Sequence, residues 1–129
     1  MMPLKVLITE DDQDVGTIMS QLLEMNGLET RLLSDPTQFQ QAFQEFQPDM
    51  VVTDVMMPKV DGWTICKLVK ENPNTAHIPV IVLTGRSDSD SELKSFECGA
   101  NDYLSKPFEN DEFVHRVKKL LKIKKPSSL

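Results

Sequence analysis

Asp49-Met50-Val51-Val52-Thr53-Asp54 is β-branched and apolar through its middle and closed at each end by an acid. A strand with one wet face alternates apolar with polar residues. A run with no polar face belongs to a strand covered on both sides, as in parallel sheets. Ile78-Pro79-Val80-Ile81-Val82-Leu83-Thr84 has the same character, and Lys5-Val6-Leu7-Ile8-Thr9 is a shorter version. Residues 28–33 and Asp102-Tyr103-Leu104 read as two further strands. Between them the apolar spacing changes to the helical one. Val15, Ile18, Met19, Leu22 and Leu23 follow i, i+3, i+4, i+7, i+8, and Asn26-Gly27 stops that helix. Asp35-Pro36 opens a second helix carrying Phe39, Ala42, Phe43 and Phe46; a third runs over 63–71 to Asn72-Pro73-Asn74. A fourth starts in the Ser/Asp-rich residues 87–91 and closes at Gly99, and Phe113, Val114, Val117, Leu120 and Leu121 mark the last.

Strand–helix alternation five times over implies an α/β fold, a parallel sheet with helices on both faces. Right-handed crossovers leave few topologies, and the flavodoxin-like strand order 2-1-3-4-5 with five helices, a three-layer sandwich, is the expectation. The 129 residues suit one such domain, 1–125, followed by a tail at 126–129. Twenty Asp and Glu against 14 Lys and Arg leave a net charge of −6, which argues against a general nucleic-acid binder. No apolar run approaches the roughly 20 residues of a membrane span. Cys66 and Cys98 are too few for a disulfide framework, so a cytoplasmic protein is expected, with packing as the role of both thiols. The lysines of 118–125 suit the C-terminal end of a helix dipole.

Sites in an open parallel sheet form beyond the carboxyl ends of the strands, beside the switch in strand order. That edge collects Glu10, Asp11 and Asp12 after the first strand, Asp54 after the third, Thr84 after the fourth and Lys106 after the fifth. Asp12 reads as a helix N-cap. Glu10, Asp11 and Asp54 converge across the switch point, and like charges so placed raise one another's pKa unless a cation intervenes. Mg²⁺, with its preference for oxygen ligands, answers that need. Lys106 and Thr84 add a positive charge and a hydroxyl beside Asp54. Together the set suits phosphoryl transfer to the Asp54 carboxylate, where spread negative charge must be positioned and neutralised. Singly, each residue also has an ordinary structural reading; it is their meeting at one sheet edge that carries the chemistry.

Five segments carry a resemblance: Ile8-Thr9-Glu10-Asp11-Asp12, residues 48–58 ending in Met56-Met57-Pro58, Asp61-Gly62, residues 78–84, and Gly99-Ala100-Asn101-Asp102-Tyr103-Leu104-Ser105-Lys106-Pro107-Phe108. From residue 4 to about 122 the chain resembles the receiver domain of bacterial two-component response regulators. The resemblance implies a phosphorylation-dependent switch, not an enzyme. Asp54 is then the phosphoacceptor, Asp11 and Asp54 bind Mg²⁺ directly with the Met56 backbone carbonyl as a third ligand, and Glu10 completes the acidic pair. Thr84 and Tyr103 match the switch pair and Lys106 the phosphate-binding lysine, its bond to Pro107 cis. The implied partners are a sensor histidine kinase or phosphotransfer protein and a downstream protein that reads the face of helix 4, strand 5 and helix 5.

Some residues depart from the pattern. Glu92 stands where members that pair through that face carry a base, and Asn101 replaces a frequent acid, although Glu112 and Arg116 fit. A monomer or weak dimer is therefore expected, with no direct DNA binding by this chain. Three rival functions are weighed. A flavodoxin-like electron carrier would need a hydroxyl- and Gly-rich loop after the first strand, where Glu10, Asp11 and Asp12 stand. An aspartyl-phosphate phosphohydrolase would need an acid two residues after the nucleophile, where Met56 stands. A constitutive protein-binding module would have no use for Asp54, Thr84 and Lys106 together.

Overall fold

A computed structural model of the chain describes residues 3–57, 59–85 and 97–122. Its centre is a five-stranded sheet in the order β2-β1-β3-β4-β5, formed by β1 (Lys5–Thr9), β2 (Glu29–Leu33), β3 (Met50–Asp54), β4 (Val80–Thr84) and β5 (Asp102–Ser105). All four pairings are parallel. The helices are α1 (Gln13–Glu24), α2 (Phe39–Phe46), α3 (Gly62–Lys70) and α4 (Asn110–Leu121), the last being the fifth in the sequence-based count. Of the helix expected at 87–98, only Glu97 and Cys98 are described, and both are helical. Pro58, Arg86, Glu92 and the 126–129 tail also lie outside the described residues.

Every residue of β3 and β4 is buried, as their unbroken apolar runs predict. Strand alternation divides the core in two. Leu7, Val51 and Val82 meet Phe39, Phe46 and Ile65 on one face; Ile8, Val52 and Leu83 meet Met19, Leu23, Phe113 and Val117 on the other. Asp12 caps α1, its carboxylate accepting from the backbone N–H of Asp14 at 3.0 Å and of Val15 at 3.2 Å. That arrangement stabilises a helix start by about 1 kcal/mol. Gly27, at φ +84°, supplies the left-handed residue that turns the chain out of α1.

The second helix differs from its expected form. Asp35 caps a single 3₁₀ turn, Pro36–Gln38, by accepting from Thr37 N–H at 3.0 Å, and the α-helical residues follow from Phe39. Proline at the first position suits that tight start because its missing N–H would have no helical partner there. Cys66 and Cys98 are buried, and the Cys66 thiol donates to the Cys98 carbonyl at 3.3 Å.

Candidate functional site

The carboxyl ends of β1 and β3 are neighbours, and they bring Glu10 and Asp54 together from 44 residues apart. One ligand oxygen from each of Glu10, Asp11 and Asp54 falls within 4.8 Å of the others. Their exposures differ sharply. Glu10 is fully buried and Asp54 is 5% exposed, whereas Asp11 is open to solvent. The Glu10 carboxylate accepts from the Asp12 N–H at 3.2 Å, which turns it back over the strand end.

Lys106 reaches the cluster from the loop after β5. Its Nζ lies 2.6 Å from Glu10 Oε1 and 3.3 Å from Asp54 Oδ1. Its own N–H donates to the Thr84 carbonyl at 2.7 Å, which ties the lysine's backbone to the end of β4. The Lys106–Pro107 peptide is cis, as the resemblance implies. Burial pushes the Glu10 carboxyl up to about 7; the Lys106 hydrogen bond opposes the shift and the nearby Asp54 adds to it. Burial lowers the Lys106 pKa, but the hydrogen bond to Glu10 and the field of Asp54 outweigh it, so the net shift is upward.

Three carboxylates and one ammonium leave the cluster two positive charges short when all are ionised. A divalent cation carries that charge, and carboxylate oxygens with an open side at Asp11 are the donors a hard ion such as Mg²⁺ takes. The residues present therefore fit Mg²⁺. Burial is the main reason that Glu10 holds its proton more tightly, and the neighbouring Asp54 charge adds to it.

Thr84 ends β4 one residue beyond Leu83, the register partner of Asp54. Its hydroxyl is buried and has no hydrogen-bond partner among the described residues. Tyr103 lies on the neighbouring strand, partly buried against the α2/α3-side core. Met56 sits two residues past Asp54 with its side chain 75% exposed. The loop around it turns on the Val55 carbonyl, which accepts from both Met57 and Gly62 N–H at 3.1 Å. Gly62 is required by a close approach: a Cβ there would stand 2.2 Å from the Asp54 carbonyl oxygen.

A model of the response regulator receiver domain matches residues 6–118. The chain belongs to that family. Among curated relatives, this receiver domain is 37% identical over 118 residues to the DNA-binding dual master transcriptional regulator RpaA of Synechocystis, covering 92% of the chain and 49% of RpaA. It is 32% identical over 125 residues to the phosphate regulon regulator PhoB of Rhizobium meliloti, covering 97% of the chain and 55% of PhoB. The chain thus spans about half the length of these relatives. A solved putative response regulator from Chloroflexus aurantiacus superposes with a TM-score of 0.87 at 38% identity, covering 93% of this chain and 98% of that one. The signal receiver domain of a histidine kinase from Syntrophus aciditrophicus gives 0.85 at 32% identity, covering 97% and 96%. Receiver domains bind Mg²⁺ at an acidic pocket, and Glu10, Asp11 and Asp54 form such a pocket here.

Sequence reading did not anticipate three features of this receiver domain. The hydroxyls of Thr9 and Thr53 pair across β1 and β3. Asn101 exchanges two bonds with Val80: its N–H donates to the Val80 carbonyl at 2.9 Å, and its side-chain oxygen accepts from Val80 N–H at 3.0 Å. Arg116 grips both oxygens of Asp102 at 2.7 and 2.8 Å and also reaches Glu112. The two strand pairings depend on register and the Arg116–Asp102 pair on how α4 lies beside β5, so these have no local signal; Arg116 and Glu112, four apart on one helix, do.

Proposed function

We propose that the chain is a phosphorylation switch in which Asp54 accepts a phosphoryl group from a phosphohistidine. The observation that carries this reading is the nearly buried Asp54 carboxylate held 3.3 Å from Lys106 inside an acidic cluster. Asp11, Asp54 and the Met56 backbone carbonyl would hold Mg²⁺, with Glu10 beside them. Bound there, the ion supplies the positive charge that a transferring phosphoryl oxygen requires. The Asp54 carboxylate attacks phosphorus; an O–P bond forms as the N–P bond of the donor breaks, and the histidine leaves with the bond electrons. Lys106 pairs with a second phosphoryl oxygen. The Thr84 hydroxyl, without a partner among the described residues, donates to a third. Tyr103 packs in the space that Thr84 leaves.

A phosphoryl group that engages Thr84 and Lys106 in only one arrangement shifts a two-state equilibrium toward it. The output is the surface beside β5 and α4, read by a downstream protein. On this reading the chain is a phosphoacceptor and not an enzyme for an outside substrate, its receiver unit spans 1–125, and its donor is a cytoplasmic histidine kinase or phosphotransfer protein. Among the described residues no helix is long and apolar enough to cross a membrane. DNA binding is a property named for RpaA, and the net charge of −6 here opposes assigning it to this chain.

Intact-mass spectrometry after incubation with acetyl phosphate and Mg²⁺ tests the assignment. One phosphoryl group should appear on the wild type and none on Asp54→Asn. Equal labelling of the two would place the acceptor elsewhere.

A further inference from the structure

Thr9 and Thr53 are register partners on β1 and β3, and both are fully buried. Their strand positions, two residues after Leu7 and Val51, put them on the α2/α3 side of the sheet, while Asp54 follows Val52 to the other side. The Thr9 hydroxyl donates to the Thr53 hydroxyl at 2.5 Å, and the Thr53 hydroxyl donates to the backbone carbonyl of Asp54 at 3.0 Å. The peptide plane joining Asp54 to Val55 is anchored at its other end too, because the Val55 N–H donates to the Leu83 carbonyl of β4 at 3.0 Å. Gly62 packs against the same Asp54 carbonyl, where a Cβ would come within 2.2 Å.

We propose that the Thr9–Thr53 hydroxyl relay is a positioning device for the acceptor: it fixes the Asp54–Val55 peptide plane from behind and so aims the carboxylate that receives the phosphoryl group. The inference rests on the reading of Asp54 as acceptor. Asp54 is the last residue of β3, so strand pairing restrains its outgoing peptide less than those before it. That peptide sets ψ of Asp54, and the side-chain rotamers open to a residue depend on its φ and ψ. The same plane starts the turn toward Met56, whose carbonyl belongs to the proposed metal site. Two valines at these positions would pack the interior as well, but neither could donate to the carbonyl. Thr9 and Thr53 touch neither phosphorus nor metal; they act through the backbone of the residue that does.

The test exploits an asymmetry in hydrogen bonding. Removing one buried partner strands the other, whereas replacing both with apolar groups of the same shape is close to neutral for stability. In Thr9→Val/Thr53→Val the two hydroxyls leave together and only the Asp54 carbonyl loses a donor, so the full chain should stay folded with a modest drop in melting temperature. Its phosphorylation rate at saturating acetyl phosphate and Mg²⁺ should fall about tenfold, since small misplacements of a reacting group cost that much or more. The half-saturating acetyl phosphate concentration should not move. Thr53→Ser, which keeps the donor, should label several-fold faster than Thr53→Ala, and this pair decides the matter if the double variant does not fold. A double variant that labels at the wild-type rate, or equal rates for Thr53→Ser and Thr53→Ala, would overturn the relay while leaving the acceptor assignment intact. A wild type that takes no phosphoryl group at Asp54 would overturn both.

Discussion

Two regions of the molecule set one cation against two carboxylates, and they do opposite things with it. At the carboxyl edge of the sheet, Lys106 lies between Glu10 and Asp54, whose side chains are 0% and 7% exposed. On the β5 flank, Arg116 lies between Asp102 and Glu112, whose side chains are 27% and 45% exposed. Arg116 Nη1 alone reaches both oxygens of Asp102, its Nε and Nη2 go to Glu112, and solvent screens what remains of the charge. Lys106 is a single point charge shared between two acids with Asp11 alongside, and there water cannot supply the missing compensation. The exposed cluster is complete as it stands. The buried one is short of positive charge, and its Thr84 hydroxyl has no partner among the described residues. What separates the two clusters is burial and the count of charges, not the kinds of residue present.

The pH dependence of stability should break the equivalence most visibly. Glu10 has a folded-state pKa of about 7 against an ordinary 4.5. Its proton is held more tightly by the folded chain, so its contribution is fully present below pH 4.5 and is lost as pH rises to 7 and beyond. Without metal, urea denaturation should show stability falling across that window by up to roughly 3 kcal/mol. Glu10→Gln should flatten the slope, and so should saturating Mg²⁺, because the cation takes over from the proton. A metal-free wild type with the same slope as Glu10→Gln would mean that burial does not perturb this acid. Arg116→Ala should leave the slope unchanged.

Thr84→Val sharpens the contrast at smaller scale. The valine removes a buried hydroxyl that has no partner among the described residues, so thermal stability should hold or rise by up to about 1 kcal/mol. If the hydroxyl serves the phosphorylated state, the variant should still take the phosphoryl group on Asp54 while chemical-shift changes around β5 are lost. A clear drop in melting temperature would show that Thr84 has a structural bond after all.

The smallest effect is expected at the exposed cluster. Arg116→Ala should cost less than about 1 kcal/mol at low salt, and the loss should shrink further in 1 M salt as screening removes what the pair contributes. A larger, salt-independent cost would make the Arg116 fork a buried-type interaction despite its exposure.

The two clusters were unequally legible. The rule that sites gather at the carboxyl ends of parallel strands picks out Glu10, Asp11, Asp54, Thr84 and Lys106 from the residue order alone, and the structure brings Glu10, Asp11, Asp54 and Lys106 into contact. Arg116 and Glu112 match a family pattern and stand four apart on one helix, a spacing that pairs opposite charges. Asp102 joins them because β5 presents it to α4, which no periodicity announces.

Residue order by itself determined the five strands, the four described helices and the caps at Asp12 and Asp35, because apolar period, N-cap chemistry and turn residues are local properties of a chain. It also placed the candidate site side chains at one edge, since strand ends in a parallel sheet all point the same way. Tertiary structure alone decided that Glu10 is fully buried while Asp11, its neighbour, is exposed. It decided that Thr9 stands opposite Thr53, that Gly62 touches the Asp54 carbonyl, and that Lys106 spans two acids. Each of these depends on the register of strands joined by long crossovers. Register is chosen by packing on both faces of the sheet at once, a condition that no single stretch of sequence contains.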